Sequence, residues 1–184
     1  RISYAFPAAR QYVLSVLREI VERYPVDGIA LIYIRRPPLL DYEAPLVDSF
    51  IAEHGVDPRQ LNERDERWLR HRAGFLTQFM REVRAEMAAL AAGLGRKPVA
   101  ITAMVSGRED ENFFYGMDIQ GWIKEGLVDT LIPYTMAPAL DSTAEAWPVA
   151  GDAARWAEMA RGTSTEVAFS VLPRHKSAED YRRK

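Results

Sequence analysis

The sequence predicts a parallel α/β protein, built from repeated helix–strand units. Three observations carry that prediction. Helical and strand patterns alternate along the chain in the order αβ-αβ-αβ-αβ-α. Each candidate strand is short and apolar on both faces, as parallel strands covered by helices are. Two junctions echo each other: "PVDGIAL" and "LVDTLIP" both place Val-Asp just before a strand, as repeated βα units would.

Taken in order, the first helix spans 7–24. Pro7 suits a first helical position, and Val13, Val16, Leu17, Ile20 and Tyr24 form one apolar stripe. Pro25 stops it, and a strand over 28–34 follows at once. Residues 35–62 form a long, proline-rich connection with a short helix around 46–54, and connections of this length are often functional. Asn62 can cap the next helix, with Asp65 three residues on. That helix is the clearest in the chain: Leu69, Ala73, Leu76, Met80, Val83, Met87 and Leu90 recur at steps of four and three. Flanking strands favour a helix lying on a sheet over a coiled coil. Gly93 is a plausible stop.

The second strand is 98–105. A loop, "SGREDENFFYG", leads to a short helix over 118–125, ended by Gly126. The third strand is 128–134. A helix near 152–161, closed by Gly162, precedes a fourth strand over 166–172. A last helix begins near Ser177.

Neither a G-x-G-x-x-G turn nor a phosphate-binding P-loop is present, so a nucleotide-binding doubly wound sheet is disfavoured and no cofactor is expected. A (β/α)8 barrel uses roughly 31 residues per unit, and strands two to four start about 30 and 38 residues apart. The first interval, near 70 residues, fits a barrel unit with an enlarged loop. Four strands cannot close a barrel. The expectation is therefore a partial (β/α)8 barrel of about four parallel βα units. Position 1 is Arg and the chain stops within a helical pattern, which suggests a piece of a longer protein completed by its remaining barrel units.

Composition narrows the function classes. The 184 residues are 48% hydrophobic and 27% charged, ordinary for a globular domain. A formal charge of −2 gives no reason to expect nucleic acid or an acidic membrane as partner. No apolar run approaches the roughly 20 residues of a membrane span. With no cysteine, disulfides and thiolate chemistry are excluded, which leaves localisation open. His54 and His71 read as surface residues, and no histidine or carboxylate spacing signals a metal site. No G-x-S-x-G elbow occurs.

In barrels the active groups lie on loops at the carboxyl ends of strands. Asp27 and Asp129 precede their strands, so they fall on the stability face as turn or capping residues. The carboxyl-end candidates are Arg35, Arg36, Asp41, Tyr42 and Glu43 after strand one. Ser106 and the run from Arg108 to Tyr115 follow strand two, then Tyr134, Thr135 and Met136, then Arg174 and His175. Acids, arginines and aromatics converging on one face suit a sugar: rings stack on pyranose faces, and charged or amide groups bond hydroxyls. Two carboxyl groups can then act as acid and base or nucleophile. Glu109 and Glu111 are the catalytic candidates, with Arg35, Arg36, Asn112, Tyr115 and Tyr134 as substrate contacts. The competing readings are plain: "REDEN" is a solvated charge run, and Arg35 and Arg36 pair with Asp41 and Glu43.

The stretches "YPVDGIALIYIRRPP", "FLTQFMREVRAEM" and "YGMDIQGWIKEGLVDTLIPYT" together resemble the glycoside hydrolase-like TIM-barrel proteins of bacteria, the family 10-like glycosyl hydrolases. The similarity covers about residues 4–138, and "GMDIQGWIKEGLVDTLIP" is its most distinctive part. The resemblance implies a (β/α)8 barrel over 1–184 and a sugar-directed role: hydrolysis of O-glycosidic bonds, or carbohydrate binding without catalysis. Relatives can carry acids within the first strand, in patterns such as "DG-I-H-L-D-x-I-R". Those positions correspond here to Ala30 and Ile32.

Overall fold

The computed structural model describes residues 2–35, 37–134, 150–169 and 179, with backbone alone at 150–152. Its elements are α1 (Pro7–Arg23), β1 (Gly28–Ile32), α2 (Ala44–His54), a 3-10 turn (Pro58–Gln60), α3 (Glu66–Gly93), β2 (Ala100–Ser106), α4 (Glu109–Phe114), α5 (Ile119–Lys124), β3 (Thr130–Tyr134), α6 (Ala150–Ala160) and β4 (Glu166–Val167). The strands form one sheet in the order β1-β2-β3-β4, every neighbour parallel. Sequence neighbours are therefore sheet neighbours, which is what a chain of helix-connected units produces. Flanking helices and a parallel sheet make this an α/β fold.

Side-chain period two divides the sheet into unlike faces. Ile29 pairs with Ile101, and Leu31 with Ala103 and then Leu131. This row is covered, and Ile101, Ala103, Val105 and Leu131 have no exposed surface. The opposite face carries Ala30 beside Thr102 and Thr130, and Ile32 beside Met104 and Ile132. It is only half-buried, and Ile32 is 53% exposed.

Helices α1 and α3 form the layer on the covered face. The face of α3 from Trp68 to Ala91 is buried, including Leu76, Phe79, Met80 and Val83 without exposure. Each such side chain contributes on the order of 1.5–3 kcal/mol of burial energy. Arg10 pairs with Glu82 at 3.0 Å and Arg18 with Glu86 at 2.6 Å, so α1 and α3 run side by side in one direction. Close approach of β1 to β2 needs Gly28, because a Cβ there would sit 2.9 Å from the Ala100 carbonyl oxygen.

Some boundaries depart from expectation. Asp65, not Asn62, caps α3: its carboxylate accepts from the Arg67 amide at 3.0 Å, while Asn62 Oδ1 bonds the Arg64 amide in the turn before. The Arg67 side chain bonded to Asp65 holds that carboxyl down at about 2. Helix α4 occupies part of the run expected to be loop. Its first turn is Glu109, Asp110 and Glu111, acids that favour a helix N-terminus. Strand β4 is Glu166–Val167; residues 170–172 of the expected fourth strand, and the helix near Ser177 apart from Glu179, lie outside the described residues. Asp129 takes the structural role expected of it, accepting from the Ile101 amide at 2.6 Å and pairing with Arg84 at 3.0 Å.

Candidate functional site

The carboxyl ends of β1, β2 and β3 border a cavity of ≈ 680 Å³. That is small-ligand size. Tyr33 and Ile34 line it from beyond β1, Ser106 to Glu111 from the end of β2 and from α4, and Tyr134 from the end of β3. Pro37, Tyr115, Met117 and Arg155 complete the wall.

Local bonding explains how α4 comes to stand there. Asn112 is fully buried; its Oδ1 accepts from the Ser106 amide and its Nδ2 donates to the Ser106 carbonyl, both at 2.8 Å. With both ends of its amide engaged, Asn112 fastens α4 to the strand end, and it is not among the residues that line the cavity. Expected from the sequence as a substrate contact, Asn112 takes a positioning role in the described structure. Arg72 of α3 donates to the Phe114 carbonyl at 2.6 Å, its guanidinium lying over the rings of Trp68 and Phe114. Burial lowers the pKa of Arg72, and its Nε is buried without a partner. Gly116 follows at φ +89°, the left-handed turn that redirects the chain after α4.

The two expected catalytic acids both line the cavity, in different settings. The Ser106 hydroxyl donates to Glu111 Oε2 at 2.7 Å, and Arg108 approaches Glu111 at 3.5 Å. Glu109 accepts from the Gln120 side chain. Two positions apart on one helix, they do not face each other. Asp110 pairs with Arg108 at 3.1 Å, and that bond lowers the acid's pKa and raises the arginine's. Tyr115 and Tyr134 line the cavity, each partly exposed. Beneath them Tyr33 is buried, its hydroxyl 3.0 Å from Met80 Sδ; burial foremost, with Tyr4 adding, pushes its pKa well up. Arg35 is exposed and stands outside the cavity lining. Arg36, Thr135, Met136, Arg174 and His175 lie outside the described residues.

Arg155 was missed by sequence reasoning. It sits on α6, which Trp156 anchors by donating from Nε1 to the Gly107 carbonyl at 3.3 Å. No periodicity distinguishes an arginine over a cavity from one in solvent. His54 and His71 were also misread. Neither is freely exposed: their side chains retain 24% and 10% of their surface, and their rings lie 6.4 Å apart beside Phe50.

The motif stretches now fall on recognisable parts: β1, α3, and the segment from Tyr115 through α5 into β3. Over residues 2–176 the chain matches the family model described as glycosyl hydrolase-like 10. It belongs to that family. No curated protein matches the chain. In this glycosyl hydrolase-like chain, Ala30 and Ile32 lie on the uncovered sheet face. Among the described residues of β1, β2 and β3, that face has no carboxylate. Among the described residues, the acids at the cavity are Glu109, Asp110 and Glu111 of α4. No helix among the described residues is long and apolar enough to cross a membrane.

Proposed function

We propose that the chain contributes the site-bearing half of a (β/α)8 barrel that hydrolyses O-glycosidic bonds of a carbohydrate. Glu109 and Glu111 are its acid–base candidates, Tyr115 and Tyr134 its sugar-facing rings, and Arg155 its hydroxyl or carboxylate contact, while Arg35 and Arg36 would meet a substrate that extends beyond the cavity. The observation that carries this reading is the cavity itself: it opens at the carboxyl ends of three parallel strands and combines two glutamates with tyrosines. The uncovered apolar sheet face supports the barrel, because the remaining units of a longer chain would bury it. Carbohydrate is the partner on this reading, with no part for nucleic acid or a membrane.

Glu109 and Glu111 do not oppose each other, so one of them would act with a carboxylate from another unit. Separation of that pair by about 5 Å would give retention and by about 6.5–9.5 Å inversion. A second reading is favoured by Ala30 and Ile32: a carbohydrate-binding barrel without catalysis. Assaying the full-length protein on aryl glycosides and polysaccharides, alongside Glu109→Gln and Glu111→Gln, separates the two. Loss of about 10²–10⁴ in turnover in one variant marks the proton-transfer residue. Turnover unchanged from the parent protein in both variants removes these acids from the mechanism. Oligosaccharide binding without any hydrolysis establishes the second reading.

A further inference from the structure

A second cluster lies apart from this cavity. Glu53 and His54 close α2, and His71 stands in the second turn of α3. One donor atom from each lies within 4.8 Å of the others. His71 Nδ1 is 3.3 Å from Glu53 Oε2, and His54 Nε2 is 3.6 Å from Glu53 Oε1. A tetrahedral zinc ion with bonds of about 2.0–2.1 Å spaces its ligands roughly 3.3–3.4 Å apart. The two glutamate–histidine separations are near that spacing but run to different carboxylate oxygens, so the Glu53 carboxylate and the rings would turn to bring three donors onto one ion.

The hydrogen bonding of His71 points to a cation. Ser49 has one hydroxyl proton, and Oγ lies 2.6 Å from the Pro45 carbonyl oxygen, which takes it. Toward His71 Nε2, at 2.8 Å, Ser49 Oγ is then the acceptor, so Nε2 carries the ring proton. In the neutral ring Nδ1 is bare, and it faces a carboxylate oxygen. Two lone pairs directed at each other call for a positive species between them. A metal-binding histidine characteristically donates its other N–H to an oxygen, which fixes the tautomer and aims the free nitrogen.

We propose that Glu53, His54 and His71 bind one divalent transition-metal ion, with zinc the best match to two imidazoles and a carboxylate. Phe50 packs against both rings, at centroid distances of 4.3 and 5.3 Å, and Trp68 stacks beside His71. This backing holds the donors in place. The donors line a cleft of ≈ 560 Å³, which gives the ion a way in and shares no lining residue with the first cavity. The arginines around the cleft are each held by an acid: Arg10 by Glu82, Arg67 by Asp65 and Arg70 by Glu66. Three protein ligands leave a fourth position for water. The ion would pin α2 to α3, so binding would stabilise the fold by linkage.

The test is zinc titration of the chelator-treated chain by calorimetry and by thermal melting. Expected are one Zn²⁺ per chain, a higher melting temperature with zinc, and the intense visible bands of a four-coordinate site with Co²⁺. Glu53→Gln, at the surface, and His54→Ala, at the end of α2, should each weaken zinc binding at least about 10-fold while leaving the metal-free circular dichroism unchanged. Absence of zinc uptake overturns the proposal. So does uptake that neither variant diminishes relative to the unmutated chain. If Glu53→Gln lowers the melting temperature of a chain that zinc does not affect, the cluster is a protonated His71–Glu53 ion pair instead.

Discussion

Ile101 and Ile32 are the same residue on neighbouring strands, on opposite faces of the sheet. Ile101 lies under the helical layer with no exposed surface, whereas Ile32 is 53% exposed. The covered face, packed by α1 and α3, holds the fold together. The other face makes little contact within the described residues, and its composition is set by something besides packing against those helices. That face leads upward, through Ser106 and Tyr134, to the cavity. Stability and candidate chemistry are thus separated by the alternation of the strand.

The largest expected effect tests the covered face. Ile101→Ala should destabilise by about 2–5 kcal/mol, read by chemical denaturation, since it removes buried methyl groups and leaves a cavity. Next comes the link between the helical layer and the site. Arg72→Leu removes the bond to the Phe114 carbonyl and should lower stability by about 1.5–3 kcal/mol. It should also loosen α4, seen as faster amide exchange over 109–117; unchanged exchange there would break the connection drawn between α3 and the cavity. Smallest is the matched substitution Ile32→Ala, expected to change stability by under about 1 kcal/mol. That holds for this chain by itself; in the full-length protein a loss at Ile32 as large as at Ile101 would show that this face is covered there, as a closed barrel requires.

Much of the architecture was legible along the chain. The stripe from Leu69 to Leu90 announced α3, and Gly126 and Gly162, both at positive φ, ended their helices where expected. The parallel sheet followed from alternation of element types. Other features resisted because competing local signals were equal in sequence. Asn62 and Asp65 are both good caps, and only the chain path selected Asp65. The acids of "REDEN" look like solvated loop until Asn112 ties them to Ser106 as a helix. Asn112 could as well have been a ligand contact; burial made it a fastener.

The sequence by itself determined the order of the strands and the longer helices, the apolar stripes and the family, because periodicity and motif strings are properties of neighbours in the chain. It also determined that Ala30 and Ile32 stand where acids can be. Only the tertiary structure decided which groups meet: Glu111 with Ser106, Arg155 over the cavity, and His54 with His71 across two helices. Those meetings depend on helix packing and strand register, which place residues tens of positions apart within a few ångströms. No spacing rule along the chain encodes such distances.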